Sequence, residues 1–404
     1  MLSVTEARER ILSHLKSVAA ETAPLTVCAN RTLAADITAP HDIPSFDNSA
    51  MDGFAIRAED TTASHVTLSV VADIPAGSTP TVTLAPGEAA RIMTGAQLPK
   101  GADAVIPVED TDFNRREAGT AAPKTVSFAR TLKAGENIRA RGMDIHAGDI
   151  VMQKGRALKP QDLGLLATLG MANVEVYKKP RIALFSSGDE LLDVSAPLEP
   201  GKIRDSNSYM LAGLIESAGA EAIRLGVARD ERDEVTNLLD QAVKKNVDLI
   251  LSSAGVSVGA FDFIKEVVET NGKMDFWRVN MRPGKPLAFG KYGGIPFIGL
   301  PGNPVSAFVG FEVFARPALE RLGGKMDGSR QKVKVRCEKE IESDGRESYL
   351  RANIREENGV FLAKLTGHQG SGNLLSLVQA DALLIIPAGV KCVPAGQEVN
   401  AYLL

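Results

Sequence analysis

Four stretches of the chain place side chains capable of chemistry at close spacing. The first is Ser186-Ser187-Gly188-Asp189-Glu190-Leu191, directly after an apolar run. Small residues there let backbone N–H groups approach an anion, and a helix start adds partial positive charge. Asp189 and Glu190 suit Mg²⁺, a hard cation that takes one or two carboxylates plus phosphate oxygens and water. Taken alone, the segment reads better as a strand-to-loop turn with solvated acids. The second stretch, Ser252 to Phe263, offers Ser252, Ser253, Gly255, Ser257 and Gly259 ahead of Asp262. That composition suits a phosphate-cradling loop with a metal-binding aspartate, although Asp262 serves equally as a helix N-cap. It is not a Walker loop, because GxxxxGK[ST] occurs nowhere in the chain.

The third stretch is Arg282-Pro283-Gly284-Lys285-Pro286, followed closely by Leu300 to Ala307. Pro and Gly stiffen the backbone and fix the direction of two cations. Arginine donates in a planar fork and lysine as a point charge, and both suit a tetrahedral oxyanion. Asn303 and Ser306 add neutral hydrogen-bonding groups. Two turns flanking a hairpin would give the same backbone, but would not need two cations. The fourth stretch pairs Phe46–Ala55 with Arg91–Val105, both dense in Asp, Asn, Ser and Gly, residues that ordinary turns also use. The five histidines are scattered and suggest no Ser-His-Asp or Cys-His arrangement. Cys28, Cys337 and Cys392 are too far apart for a zinc site or a disulfide framework.

These segments must be held by several domains, since 404 residues exceed one ordinary core. Ser3 and Glu6 have capping-box spacing, and the apolar period that follows predicts a helix over residues 4–19. From Leu25 to Ile150, short alternating runs such as Val66–Val70 predict β-rich material without a long helix. From Pro180 onward strands alternate with helices: RIALFSS, a helix near Ser206–Ser217, EAIRLGVARD, a helix over ERDEVTNLLDQAVKKN, VDLILSS, and a helix over FDFIKEVVETNG. This predicts a parallel, doubly wound α/β domain, whose ligands bind at the carboxyl ends of the strands. QKVKVRC, VFLAKL and ALLIIPAG then predict a small all-β C-terminal domain. A formal net charge of -4 argues against a nucleic-acid partner. No segment approaches the roughly 20 apolar residues of a membrane helix. The N-terminus lacks a signal-peptide core, so the cytoplasm is the expected location.

In this order the segments resemble the MoeA family, which includes the E domains of gephyrin and of the plant molybdenum-insertion proteins. The matching strings are PSFDNSAMDGFA, RIMTGAQLPKGADAV, GENIRARGMD, SSGDEL, Asp205-Ser206-Asn207, AGVSVGAFD, RPGKP, GLPGNPVSA and QGSGNLLSL. The resemblance implies a homodimer with four domains per subunit. These are an N-terminal helix with an elongated β-rich dimerisation domain (1–46 and 139–176), an inserted β-rich domain (47–138), a molybdopterin-binding α/β domain (177–327) and a C-terminal β-barrel-like domain (328–404). It implies insertion of molybdenum from molybdate into adenylylated molybdopterin, with Mg²⁺ and release of AMP. A molybdopterin adenylyltransferase and acceptor molybdoenzymes join its implied partners.

Carried over by motif, Arg282, Lys285, Ser306, Arg351 and Ser371 form the molybdate pocket. Glu190, Asp230 and Asp262 serve the metal and pyrophosphate. Asp52 and Thr94 belong to the β-rich domain that faces the α/β site of the other subunit. Ser186, Ser187, Gly188, Asp205, Ser206, Asn207, Gly255, Ser257, Gly259, Pro301, Gly302 and Asn303 line the substrate site. The chain departs from the family pattern at Ser187, Ala254, Arg282 and Asp381, where Thr, Gly, Lys and Asn are commoner. An adenylate pyrophosphatase on the same α/β fold, or a gephyrin-like protein-binding scaffold, is the alternative. Molybdate-independent AMP release separates the first from the insertase, and the retained carboxylates and cations argue against the second.

Overall fold

Ser3 and Glu6 close the expected capping box: Glu6 N donates to Ser3 Oγ at 3.2 Å and Ser3 N to Glu6 Oε2 at 2.8 Å. In a computed structural model, which describes residues 1–113, 119–254, 263–325 and 330–404, the helix they start spans Val4–Ser13. It is shorter than the apolar period suggests. The Ser13 hydroxyl and the His14 ring both bond the Arg10 carbonyl, at 2.7 and 2.8 Å, and compete with the helical ladder. Leu15 is nevertheless buried.

Two compact units are described separately: Met1–Ala35 with Lys154–Ala167 and Met171–Leu404, and Asp36–Gln153 with Thr168–Gly170. The second unit contains a five-stranded sheet ordered Ala104–Pro107, Gly53–Ile56, Glu88–Ile92, Val66–Ile74, Thr125–Phe128. Gly53 is required there, because a Cβ would sit 1.9 Å from the Ile106 carbonyl oxygen.

In the first unit the six-stranded sheet runs Glu221–Ala228, Arg181–Ser187, Leu249–Ser253, Ile295–Leu300, Pro286–Tyr292, Gly272–Arg278. The first four strands are parallel, as predicted; Pro286–Tyr292 runs antiparallel to both of its neighbours, and Gly293 and Gly294 permit its tight reversal into Ile295–Leu300 at positive φ. Alternate residues of Arg181–Ser187 serve opposite cores. Ile182 and Leu184 pack with Leu211 and Ile215, and Ala183 and Phe185 with Val235, Leu239 and Val267. The sheet is therefore covered on both faces, the doubly wound arrangement.

The C-terminal strands Lys332–Cys337, Glu347–Glu357, Val360–Leu365, Ala382–Ile386 and Glu398–Leu403 close on themselves, since Glu347–Glu357 pairs with both Val360–Leu365 and Ala382–Ile386. This five-stranded barrel is stitched to the α/β layer: Met281 and Arg282 lie parallel to Glu347 and Ser348.

The helical run from Pro304 to Leu322, with a wider turn at Phe311–Ala315, is anchored by a buried charge cluster. Glu312 has no exposed side-chain surface; Arg316 Nε and Nη2 donate to it at 2.8 and 2.9 Å, and Arg330 Nε lies 2.9 Å away. Removing one partner of such a cluster leaves uncompensated buried charge. Glu312→Ala should therefore cost about 3–5 kcal/mol in urea unfolding, whereas an exposed glutamate would cost well under about 1 kcal/mol. A loss within that lower range would show that the cluster anchors nothing.

Candidate functional site

The carboxyl ends of the parallel strands open onto a cleft of about 930 Å³, walled on its other side by the barrel. Its α/β wall is built by hydrogen bonds between separate loops. Asn207 donates through Nδ2 to Ser253 Oγ at 2.8 Å and to the Gly302 carbonyl at 2.7 Å. Asp205 Oδ1 accepts from Ser208 N at 3.0 Å and from Ser186 Oγ at 3.3 Å. The Asp-Ser-Asn string, two strand ends and the Pro-Gly-Asn turn are thus one framework. Among the described residues, Asn207 Oδ1, Ser187 Oγ and Ser252 Oγ are buried without a partner. Such acceptors and hydroxyls are costly unless a ligand or water meets them. Gly302 packs tightly, since a Cβ would lie 3.1 Å from the Ala254 methyl and would have to displace it.

The barrel wall supplies cations. Arg351 projects from the strand Glu347–Glu357 and is completely buried. Its Nε donates to Ser376 Oγ at 3.0 Å and Nη2 to the Gly370 carbonyl at 3.0 Å, but Nη1 has no partner among the described residues. Gln369 clasps the Arg351 backbone from both sides, accepting from its N–H at 3.0 Å and donating to its carbonyl at 3.1 Å. Burial, and then the Arg282 charge, push the Arg351 guanidinium below the ordinary arginine range. Ser371 joins through its carbonyl, which accepts from Val305 N at 3.0 Å beside the buried Ser306. Arg282, Lys285, Ser306, Arg351 and Ser371 all line this one cleft.

Acids gather by the first strand end. Gly188 adopts φ 148°, and a Cβ there would stand 2.5 Å from Glu190 Oε2, so glycine lets Glu190 fold back over the turn. No helix starts at this turn: a short parallel pair, Leu191–Leu192 with Ile203–Arg204, precedes the helix Asn207–Ser217. Asp230 N donates to Asp189 Oδ1 at 3.2 Å. Burial, and then the charges of Asp189 and Glu190, hold the Asp230 carboxyl above its usual range. Among the described residues no three His, Cys, Asp or Glu converge on one point. One acid, raised by burial and by two neighbouring carboxylates, suits Mg²⁺, which takes one or two carboxylates and completes its shell with phosphate oxygens and water.

The structure therefore brings together Ser186, Glu190, Asp205, Ser206, Asn207, Pro301, Gly302 and Asn303 with Arg282, Lys285 and Ser306 of the α/β layer and Arg351 and Ser371 of the barrel wall. Ser187 and Gly188 end the same strand, and Asp230 joins the acids. Gly255, Ser257, Gly259 and Asp262 lie outside the described residues. Asp52 and Thr94 sit in the other unit, where Thr94 N and Oγ1 both donate to Asp52 Oδ1 at 2.7 Å. Asp381 does not line the cleft; it accepts from Ile354 N at 3.0 Å on the barrel surface. Sequence reading missed Arg204, Arg346 and Gln369, which do line it. Arg204 adjoins the Asp-Ser-Asn string, so adjacency alone could have found it.

Fold and cleft together describe a multidomain α/β-plus-barrel protein with a strongly cationic pocket at a topological switch. Residues 2–170 match the MoeA N-terminal region (domain I and II), 183–321 a probable molybdopterin binding domain, and 334–404 the MoeA C-terminal region (domain IV). The chain is 39% identical over 94% of its length to a molybdopterin molybdenumtransferase of Nostoc sp., covering 87% of that protein. It is 36% identical over its whole length to the molybdopterin molybdenumtransferase of Bacillus subtilis, covering 94% of it. The crystal structure of a molybdopterin biosynthesis MoeA protein from Pyrococcus horikoshii superposes with a TM-score of 0.83 at 32% identity, each chain covered completely. The chain belongs to the MoeA family. No helix among the described residues is long and apolar enough to cross a membrane.

The acid cluster generates a pH test. A carboxyl whose folded pKa is raised contributes stability below the unfolded pKa and loses it as pH rises through the folded one. Asp230→Asn should thus raise the melting temperature at pH 7, and the gain should vanish well below the ordinary aspartate pKa. Mg²⁺ should stabilise the wild type and stabilise Asp230→Asn less. An equal Mg²⁺ response in both would remove Asp230 from the cation site.

Proposed function

We propose that this protein inserts molybdenum from molybdate into adenylylated molybdopterin, releasing AMP and forming the molybdenum cofactor. The observation that carries this reading is the buried Arg351 guanidinium, whose Nη1 is unpartnered among the described residues, in a cleft shared with Arg282, Lys285, Ser306 and Ser371. Arginine forks, a lysine and two hydroxyls match the oxygens of a tetrahedral dianion. Membership of a family whose relatives are named for this transfer supports it.

In this mechanism the barrel wall binds and orients molybdate, while Asn207, Ser186 and the Pro-Gly-Asn turn hold the organic substrate against the strand ends. Glu190 and Asp230, with Asp262, would hold Mg²⁺, which when bound offsets charge on the pyrophosphate. The protein's own groups form no covalent bond; they position two anions that repel one another in water. The family resemblance further supports a homodimer in which Asp52 and Thr94 complete the partner's site.

The deciding experiment incubates pure protein with adenylylated molybdopterin, Mg²⁺ and molybdate, and follows AMP and cofactor. AMP release that ignores molybdate would replace the insertase by a pyrophosphatase. Arg282→Ala and Lys285→Ala should each weaken molybdate use about tenfold to a hundredfold, the loss of one charge-assisted hydrogen bond, with partial rescue by high molybdate. An unmoved molybdate dependence would make this loop structural. Asp52→Ala and Asp262→Ala should both be inactive as homodimers. Mixed subunits regain one intact site per dimer if sites are shared, and none if they are not. With subunit exchange demonstrated, no recovery would reject the shared site.

A further inference from the structure

One carboxylate stands among the cations of the barrel wall. Asp344, in the turn before the strand Glu347–Glu357, accepts from Arg346 N at 3.1 Å, Nε at 3.0 Å and Nη2 at 2.5 Å. Arg346, a cleft-lining residue, spends its remaining Nη1 on the Met281 carbonyl at 3.1 Å. Each nitrogen of its guanidinium thus has a partner, and the side chain serves as a strut between the barrel and the segment that carries Arg282. Arg282 is held differently. Its Nη1 lies 3.9 Å from Asp344 Oδ2, close enough for attraction but too far for a hydrogen bond. The two arginines share one oxygen, and Arg346 holds the short contacts.

We propose that Asp344 is a positioning residue for the oxyanion site, a resident counter-ion that Arg282 leaves when a tetrahedral dianion enters the cleft. In the empty cleft Arg351, depressed first by burial, is also repelled by Arg282, and Lys285 lines the same cleft. Asp344 offsets part of that repulsion from the rim, itself held below the usual carboxylate range by Arg346 and Arg282. A bound dianion supplies the same compensation from inside, and Asp344 then opposes it as a like charge. Asp344 stabilises the empty site and weakens oxyanion binding by the same interaction, acting through Arg282. Its tight bonds to Arg346 keep it in place when Arg282 departs.

The inference rests on the oxyanion reading of the cleft, and the experiment separates the two. Molybdate binding is measured by calorimetry, without organic substrate, for wild type, Asp344→Asn, Arg282→Ala and the double variant. Asp344→Asn keeps the shape of the turn and removes the charge. It should bind molybdate about two- to fivefold tighter, the range of a partly exposed ion pair, with a smaller gain as salt rises. The gain should disappear in the Arg282→Ala background, which a general structural effect would not do. Asp344→Ser gives the same comparison if the asparagine variant does not fold. Unchanged or weaker binding by the charge-neutral variant, or a gain that survives without Arg282, overturns the role of Asp344. A wild type that binds no molybdate overturns the oxyanion reading beneath it.

Discussion

A guanidinium with no exposed surface and, among the described residues, no carboxylate partner is the constraint on which the cleft depends. Burying a charge is expensive, and it persists only where hydrogen bonds and compensating charge are supplied. Arg351 receives the first from Ser376 and the Gly370 carbonyl, while the nearest charge affecting it is another cation, Arg282. Nothing in the described residues answers Nη1. The free energy this costs is carried by the packing of two domains. Leu350 and Ala352 on either side of Arg351 lie in the barrel core, and Tyr349 and Leu383 pack into the core shared with the α/β layer. A residue so placed cannot swing out to water, so a ligand that meets it must come to it.

The same logic explains why the site spans two layers. A parallel sheet presents strand ends, small residues and backbone N–H groups, a surface suited to phosphates. It does not by itself present several cations in one place. The barrel adds Arg351 and the Gln369–Ser371 turn, and the pairing of Met281 and Arg282 with Glu347 and Ser348 fixes one surface against the other. Two walls with different chemistry suit two anions brought together.

Local pattern made much of this legible. The strand and helix alternation after Pro180 gives the α/β layer, and the Gly, Ser, Pro and Asn strings fall at strand ends because only such residues fit there, as Gly188 and Gly302 show. The long-range partners were not legible. Arg346 and Asp344 acquire meaning only through a parallel pairing between segments some 65 residues apart in sequence, and a Ser-Asp-Gly-Arg turn looks the same wherever it occurs. The early end of the first helix depends on two side chains competing for one carbonyl, a contest that an apolar period does not register. Asp381, a departure from the family pattern, has a carboxylate that serves the backbone of a neighbouring strand, a role its sequence position does not reveal.

The acids at the first strand end and the cations across the cleft do not neutralise one another. Asp230 is raised by burial and by two carboxylates with no cation among the causes, and Arg351 is depressed by burial and an arginine with no acid among them. Among the described residues no ion pair joins Glu190 or Asp230 to Arg282, Lys285 or Arg351. Had the chain been arranged for stability alone, moving these groups into contact would have relieved both ends. Held apart by the strand framework, each end keeps a deficit of the opposite sign. A ligand that carries a cation at its phosphates and an anion at its far end relieves both deficits at once, so binding energy is concentrated where the two reactants must meet.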